Sequence, residues 1–269
     1  MDGAASIAFI GADDTTRLDD LYHRAPLRVL FPAPAPGDVP LAALVTTSGG
    51  LVGGDRLVVE ARADAGARAM VAAQAAEKVY RSTGADVDVT ITLTAKGDAW
   101  LEWLPQETIL FNGARLRRRT RVDVSPGGRL LAGEMLVFGR TAHGERLTHG
   151  LVHDRWDVRR EGRTVWSDSF RLAGDIAEPL AHPAGLDGAT AYATAVYVGD
   201  DAKHRLADAR DGLGGPGVRA AATCVGGVLV VRWLGANATA VRRSFGMFWA
   251  GFRALAAGLP PSLPRLWHV

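Results

Sequence analysis

The chain has 269 residues, 48% of them apolar, and its 31 basic and 29 acidic residues leave a net charge of only +2. So small a surplus supplies no strong field for nucleic acid or an anionic membrane surface, and one cysteine, Cys224, excludes an intramolecular disulfide or a cysteine zinc cluster. The longest charge-free stretch, Val39 to Gly54, is broken by glycines and hydroxyl residues, and the N-terminus lacks the basic and apolar regions of a secretory signal. The expectation is a cytoplasmic protein with neither a nucleic-acid nor a membrane partner.

From Ser6 to about Leu172 the pattern is β. Val45 to Arg56 carries two glycine pairs, Gly49-Gly50 and Gly53-Gly54, and ends on Asp55. Gly49 to Gly54 has the spacing of a phosphate-binding loop, yet Asp55 and Arg56 stand where such a loop needs Lys and Ser or Thr. A tight turn between two strands is the plainer reading. Arg56 to Ala63 alternates, with Leu57, Val59, Ala61 and Ala63 facing inward, and Asp86 to Ala95 alternates over its full length. The basic residues from Arg115 to Arg121 fall at strand spacing and read as a solvated face. Arg155 to Arg171 reads as a hairpin turning at Glu161-Gly162. With no fixed-period repeat, the pattern fits a mainly β chain of irregular β-helix-like or layered architecture, in one domain spanning residues 1–269.

The last third adds about two helices. Asp201 to Asp211 is a short one that Gly212 would stop, and Val218 to Leu234 reads as two buried strands around Gly226-Gly227. The strongest helix begins at the cap Asn237 and ends at Gly258 and Pro260, with Val241, Phe245, Phe248, Trp249, Phe252 and Leu255 recurring along one side. Its aromatic stripe packs on the sheet or, together with Trp267, offers a surface to a partner protein.

Seven histidines form no recognisable zinc pattern; His149 and His153 would lie about 13 Å apart on a strand. No serine sits in a nucleophile elbow. What remains is an acid set: Asp55, Glu77, Glu102, Glu107, Glu134, Glu145 and Asp168. Carboxylates among apolar neighbours need a cationic partner or a metal ion. Either they pair with Arg56, Lys78, Arg81 and Arg140, or some of them line an internal path for a divalent ion. Oxygen ligands suit passage better than storage. A pocket for a small polar ligand, in a binding module or an enzyme, would use the same acids.

Several blocks resemble a known family: Leu27 to Pro32 (LRVLFP), Thr46 to Leu57 (TTSGGLVGGDRL), Ala75 to Ser82 (AAEKVYRS) and Leu101 to Phe111 (LEWLPQETILF). Glu134 with Phe138-Gly139-Arg140, Gly144-Glu145 and the closing Pro264 to Trp267 complete the set. In this order they resemble the urease accessory proteins of the UreD (UreH) type. The resemblance implies a β-rich fold with two helices and a non-enzymatic role in urease maturation. It implies a UreF-type partner, a UreG-type GTPase joined through UreF, and apo-urease. It further implies that nickel passes transiently through an internal tunnel, with no tightly bound cofactor. By position, Asp55, Glu134 and Asp168 would line that path, with Glu77, Glu107 and Glu145 as further members.

Overall fold

The computed structural model describes residues 1–13, 15–211 and 213–268. It begins with β1 (Asp2–Ala12), β2 (Thr15–Arg24), β3 (Leu27–Leu30) and β4 (Leu41–Thr46). Next come β5 (Arg56–Ala63), β6 (Arg68–Ala73), β7 (Glu77–Val79), β8 (Val87–Ala95) and β9 (Trp100–Leu104). β10 (Thr108–Leu110), β11 (Arg115–Val124), β12 (Arg129–Phe138), β13 (His149–Arg160) and β14 (Arg163–Asp175) precede the short helix α1 (Ala177–Ala181). β15 (Ala191–Val198), α2 (Leu206–Asp211), β16 (Val218–Val225), β17 (Val228–Gly235) and α3 (Ala238–Ala257) follow.

The strands build a seven-stranded sheet, ordered β14-β13-β11-β8-β5-β1-β2, and a ten-stranded sheet whose main run is β16-β17-β15-β12-β9-β6-β4-β3. β5, β8, β11 and β13 lie parallel in the first sheet, while β4, β6, β9 and β12 do so in the second. The chain therefore winds between the sheets coil by coil, and the mainly β, irregular β-helix expectation holds. Register partners Arg56, Asp88, Arg117 and His153 are unevenly spaced in sequence, which is why no repeat period is visible.

Side-chain alternation makes two interiors. β12 is buried on both faces: Leu130, Ala132, Leu136 and Phe138 face the first sheet, while Leu131, Met135 and Val137 face α3. Such a strand reads as a continuous apolar run, as expected for parallel strands covered on both sides. Both predicted hairpins form. Their turns use left-handed pairs, Glu161-Gly162 (φ 51° and 74°) and Gly226-Gly227 (φ 60° and 78°), whose twist matches that of the strands.

α3 is capped as the sequence implies: Asn237 Oδ1 accepts from the Ala240 amide at 3.0 Å, and Gly258 ends the helix at φ 64°. Its aromatic stripe requires a correction. Phe245, Phe248, Trp249, Phe252 and Trp267 are at most 6% exposed, so they form no partner surface in this chain. The second sheet presents its own aromatics to them: the Trp233 ring lies 5.2 Å from both Phe245 and Phe248, and Tyr197 lies 5.1 Å from Phe252. The large apolar side chains that α3 exposes are Met247 and Leu255.

Smaller differences have local causes. α2 starts at Leu206 rather than Asp201, because Asp201 instead accepts from the Tyr197 hydroxyl and pairs with Arg205. Its predicted stop, Gly212, lies outside the described residues. α1 is a third helix that no sequence pattern announced. Cys224 is only half-buried, because β16 is the sheet's edge strand. No helix among the described residues is long and apolar enough to cross a membrane.

Candidate functional site

A cavity of about 320 Å³ lies between the sheets and reaches the surface beside the glycine loop, at Gly49 and Gln74. The loop makes this opening possible. Gly50 adopts φ 147° with the Tyr80 ring and the Lys78 carbonyl so close that a Cβ would stand 2.7 and 2.8 Å from them. Inside, Leu57, Ile91 and Trp103 give apolar walls, while Glu77, Thr108 and Arg118 supply the polar groups.

Glu77, on β7, accepts from Thr46 Oγ1 at 2.7 Å. Burial pushes its carboxyl above the ordinary range, and the nearby charge of Asp55 adds to that push against the Thr46 bond. Asp55 itself closes the turn after the loop. It accepts from the Val52 amide at 2.8 Å and pairs with the Met1 ammonium. Its place in the acid set therefore includes a structural duty that the sequence did not reveal.

At the inner end a charge cluster joins the sheets. Arg118 of β11 donates to Asp154 of β13 through Nε and Nη2 (3.1 and 2.8 Å), to Glu134 of β12 through Nη2 (2.8 Å) and to Thr108 Oγ1 of β10 through Nη1 (3.0 Å). Trp156 Nε1 donates to the other Glu134 oxygen at 2.8 Å. All three charged groups are buried. Burial drives Glu134 well above the usual carboxylate range, and the charge of Asp154 outweighs enough of the Arg118 pull to keep it there. Burial pushes Asp154 up as well, but the Arg118 charge and a bond shared with Glu134 hold it below its ordinary value. Burial and neighbouring charge therefore push the two carboxyls of this cluster in opposite directions.

Beyond Glu134 the polar line continues to the opposite edge of the sheets. Thr194, its register partner on β15, donates to the Tyr192 hydroxyl at 2.8 Å. Burial raises that hydroxyl to about 12, and the charges of Arg232, Asp168 and Glu134 all reach it. Asp168, on β14, pairs with Arg232 of β17 at 2.7 Å.

The structure thus sets Asp55 near Glu77, Glu134 behind Arg118 at the inner end of the cavity and Asp168 at the far edge. It separates Glu107 and Glu145 from this line: Glu107 pairs with Arg242 of α3 at 3.3 Å, and Glu145 pairs with Arg140 beyond β12. Of the pairings expected for the acid set, only Glu145 with Arg140 forms among the described residues. Glu134, Asp168, Glu107 and Glu102 engage Arg118, Arg232, Arg242 and Arg253, Asp55 pairs with the Met1 ammonium, and Glu77 has no ion pair among those residues. Arg118, Asp154 and Trp156 escaped the sequence reading. Arg118 does not belong to a solvated face, as expected for the basic run, because it shares parity with the inward residues Leu116, Thr120 and Val122. No group of three or more His, Cys, Asp or Glu among the described residues is placed to hold a metal ion.

The chain is a two-sheet β-solenoid with a charged cluster between its sheets, and its likeness to known proteins places it in the class of urease accessory proteins. The profile of the family "UreD urease accessory protein" matches residues 1–268. Relatives described as "Urease accessory protein UreD" include one from Magnetococcus marinus, 48% identical over all of this chain and 94% of its own. Another, from Granulibacter bethesdensis, is 46% identical over 89% of this chain and 99% of its own. A third, from Xanthobacter autotrophicus, is 41% identical over 99% and 89%. The chain belongs to the UreD family.

Proposed function

We propose that this protein is a non-catalytic urease maturation factor in the cytoplasm. It binds apo-urease together with UreF-type and UreG-type partners, and it passes nickel along the seam between its sheets. The route runs from Asp55 and Glu77, past Glu134, to Asp168. Nickel is cargo on this route, with no resident cofactor. The observation that carries the reading is the cavity itself: it opens beside Glu77 and reaches inward to Arg118, whose guanidinium pairs with the buried carboxylate of Glu134, so oxygen donors stand at its mouth and behind its inner wall in an otherwise apolar interior. Glu107 and Glu145 have no part in this route.

Co-expression of the urease genes with Glu134→Ala or Asp55→Ala tests it. The expected result is folded protein with reduced urease activity and nickel content. Wild-type nickel content with both variants would remove the ion path. Pull-down of UreF-type protein, UreG-type protein and apo-urease tests the docking half, and failure to retain any of them would refute it.

The same cavity gives a second reading, since about 320 Å³ lies within the range of small-molecule pockets. In that reading a small polar ligand binds between Glu77 and Arg118. A metabolite that raises the melting temperature of wild type but not of Glu77→Gln would favour it over ion passage.

A further inference from the structure

We propose that Arg118 is a movable bolt across this seam: its guanidinium closes the inner end of the cavity at rest and transfers onto Glu77 when an ion passes. The inference rests on the ion-path reading above. In the resting geometry Arg118 lies within 2.8 Å of both Glu134 and Asp154, and Trp156 Nε1 takes the remaining Glu134 oxygen. The positions that a divalent cation would need are therefore filled by donors, and the fixed positive charge repels it at short range. An ion can reach Glu134 only after the guanidinium has left.

The structure provides a place for it to go. Arg118 lines the cavity, so unfilled space lies beside it. Its Nη1 is already bonded to Thr108 Oγ1, and Thr108 is the register partner of Glu77 in the parallel pair β10–β7. Paired residues on neighbouring strands face the same way at a spacing of about 4.8 Å. Both side chains line the same cavity. A shift of about one strand spacing therefore carries the guanidinium from one anionic partner to another within the cavity. Glu77 accepts a bond from Thr46 and forms no ion pair among the described residues, which leaves its carboxyl free to receive a fork of donors. Arg118 is thus a positioning residue that controls access to Glu134.

Two experiments on the full chain in complex with its partners test the bolt. The first is a crystal structure of Glu134→Gln/Asp154→Asn, which removes both resting counter-charges. The guanidinium is expected against Glu77; a guanidinium still beside residues 134 and 154 would overturn the transfer. The second compares Glu77→Gln in two backgrounds, the wild type and the charge-compensated pair Arg118→Met/Asp154→Asn. Nickel delivered to urease is expected to fall about fivefold in the first and less than about twofold in the second, because without a bolt Glu77 keeps only its place on the route. Equal losses in both backgrounds would make Glu77 a simple ion ligand and end the bolt while leaving the path intact. Wild-type nickel delivery by Glu134→Ala would instead remove the path, and the bolt with it.

Discussion

Two buried arginines, each between two acids, hold this molecule together, and they are built differently. Arg253 of α3 bridges Glu102 (3.0 Å) and Asp38, and donates further to the carbonyls of Pro260 (2.9 Å) and Ser262 (3.2 Å). Glu102 also accepts from Trp100 and Trp249 at 2.9 and 2.7 Å. Every partner there is a donor facing an acceptor, and packed aromatics surround the group. Arg118 joins two acids whose carboxyls are pushed in opposite directions by burial and charge, beside open space. The first arrangement is a rivet holding α3, the chain around Asp38 and the closing segment to the second sheet. The second is satisfied only while its guanidinium stays in place. A buried ion pair is therefore not one kind of object: what borders it decides whether it fastens or yields.

The comparison breaks most visibly at the rivet. Arg253→Met leaves Glu102 and Asp38 without their cation, and we expect a loss of about 3–5 kcal/mol, seen as a collapse of the thermal melting transition. Asp154→Asn removes half of the Arg118 fork but leaves Glu134 and the cavity to relieve it. Its cost should be smaller, about 2–3 kcal/mol in urea denaturation. Should Asp154→Asn prove the more damaging, the contrast between rivet and yielding cluster fails.

Gly133→Ala acts on the rivet's side of β12. Its Cβ would stand 2.6 Å from Phe245 Cζ and 2.9 Å from Trp249 Cζ3, and overpacking of this kind costs about 1–3 kcal/mol. Circular dichroism melts would register the loss; an unchanged melting temperature would mean that α3 is less firmly seated than its packing indicates. Glu134→Gln should be milder, about 1 kcal/mol, because burial already disfavours the charged form of this carboxyl.

The smallest effect is in the pH dependence. Glu134 has a raised folded value, so its stabilising contribution is complete below its unfolded value of about 4.3 and is lost as pH rises through the folded one. Asp154, held low, contributes above about 3.9 and loses that contribution as pH falls through its folded value. As pH rises from about 4.3 toward the raised folded value, wild type should lose stability relative to Glu134→Gln. Parallel curves from urea titrations would deny the raised Glu134 carboxyl.

Much of the fold was legible because alternation and turn chemistry are local. The strands at Arg56–Ala63 and Val87–Ala95, both hairpins and both ends of α3 follow from parity, glycine placement and a cap. The site was legible only in its acids. Glu134 could be singled out by its apolar neighbours, but its partners Arg118 and Asp154 are 16 and 20 residues away along the chain and meet it only through the winding of the coils. One clue was present: Arg118 occupies an inward position in a strand that otherwise buries Leu116, Thr120, Val122 and Val124. For the opposite reason, the aromatic stripe of α3 left two readings open: packing on the sheet, which holds, and a partner surface, which does not. A helix shows which side is apolar, while the aromatics that cover it, Trp233 and Tyr197, come from strands whose proximity only the fold creates.

One strand separates the two arginine centres. Gly133 gives its bare backbone to Phe245 and Trp249 while the next residue, Glu134, points the other way into the seam. The partition is one peptide thick, and its two sides cannot be disturbed independently. Double-mutant cycles between α3 and the seam should therefore depart from additivity, although no side chain of one centre touches the other.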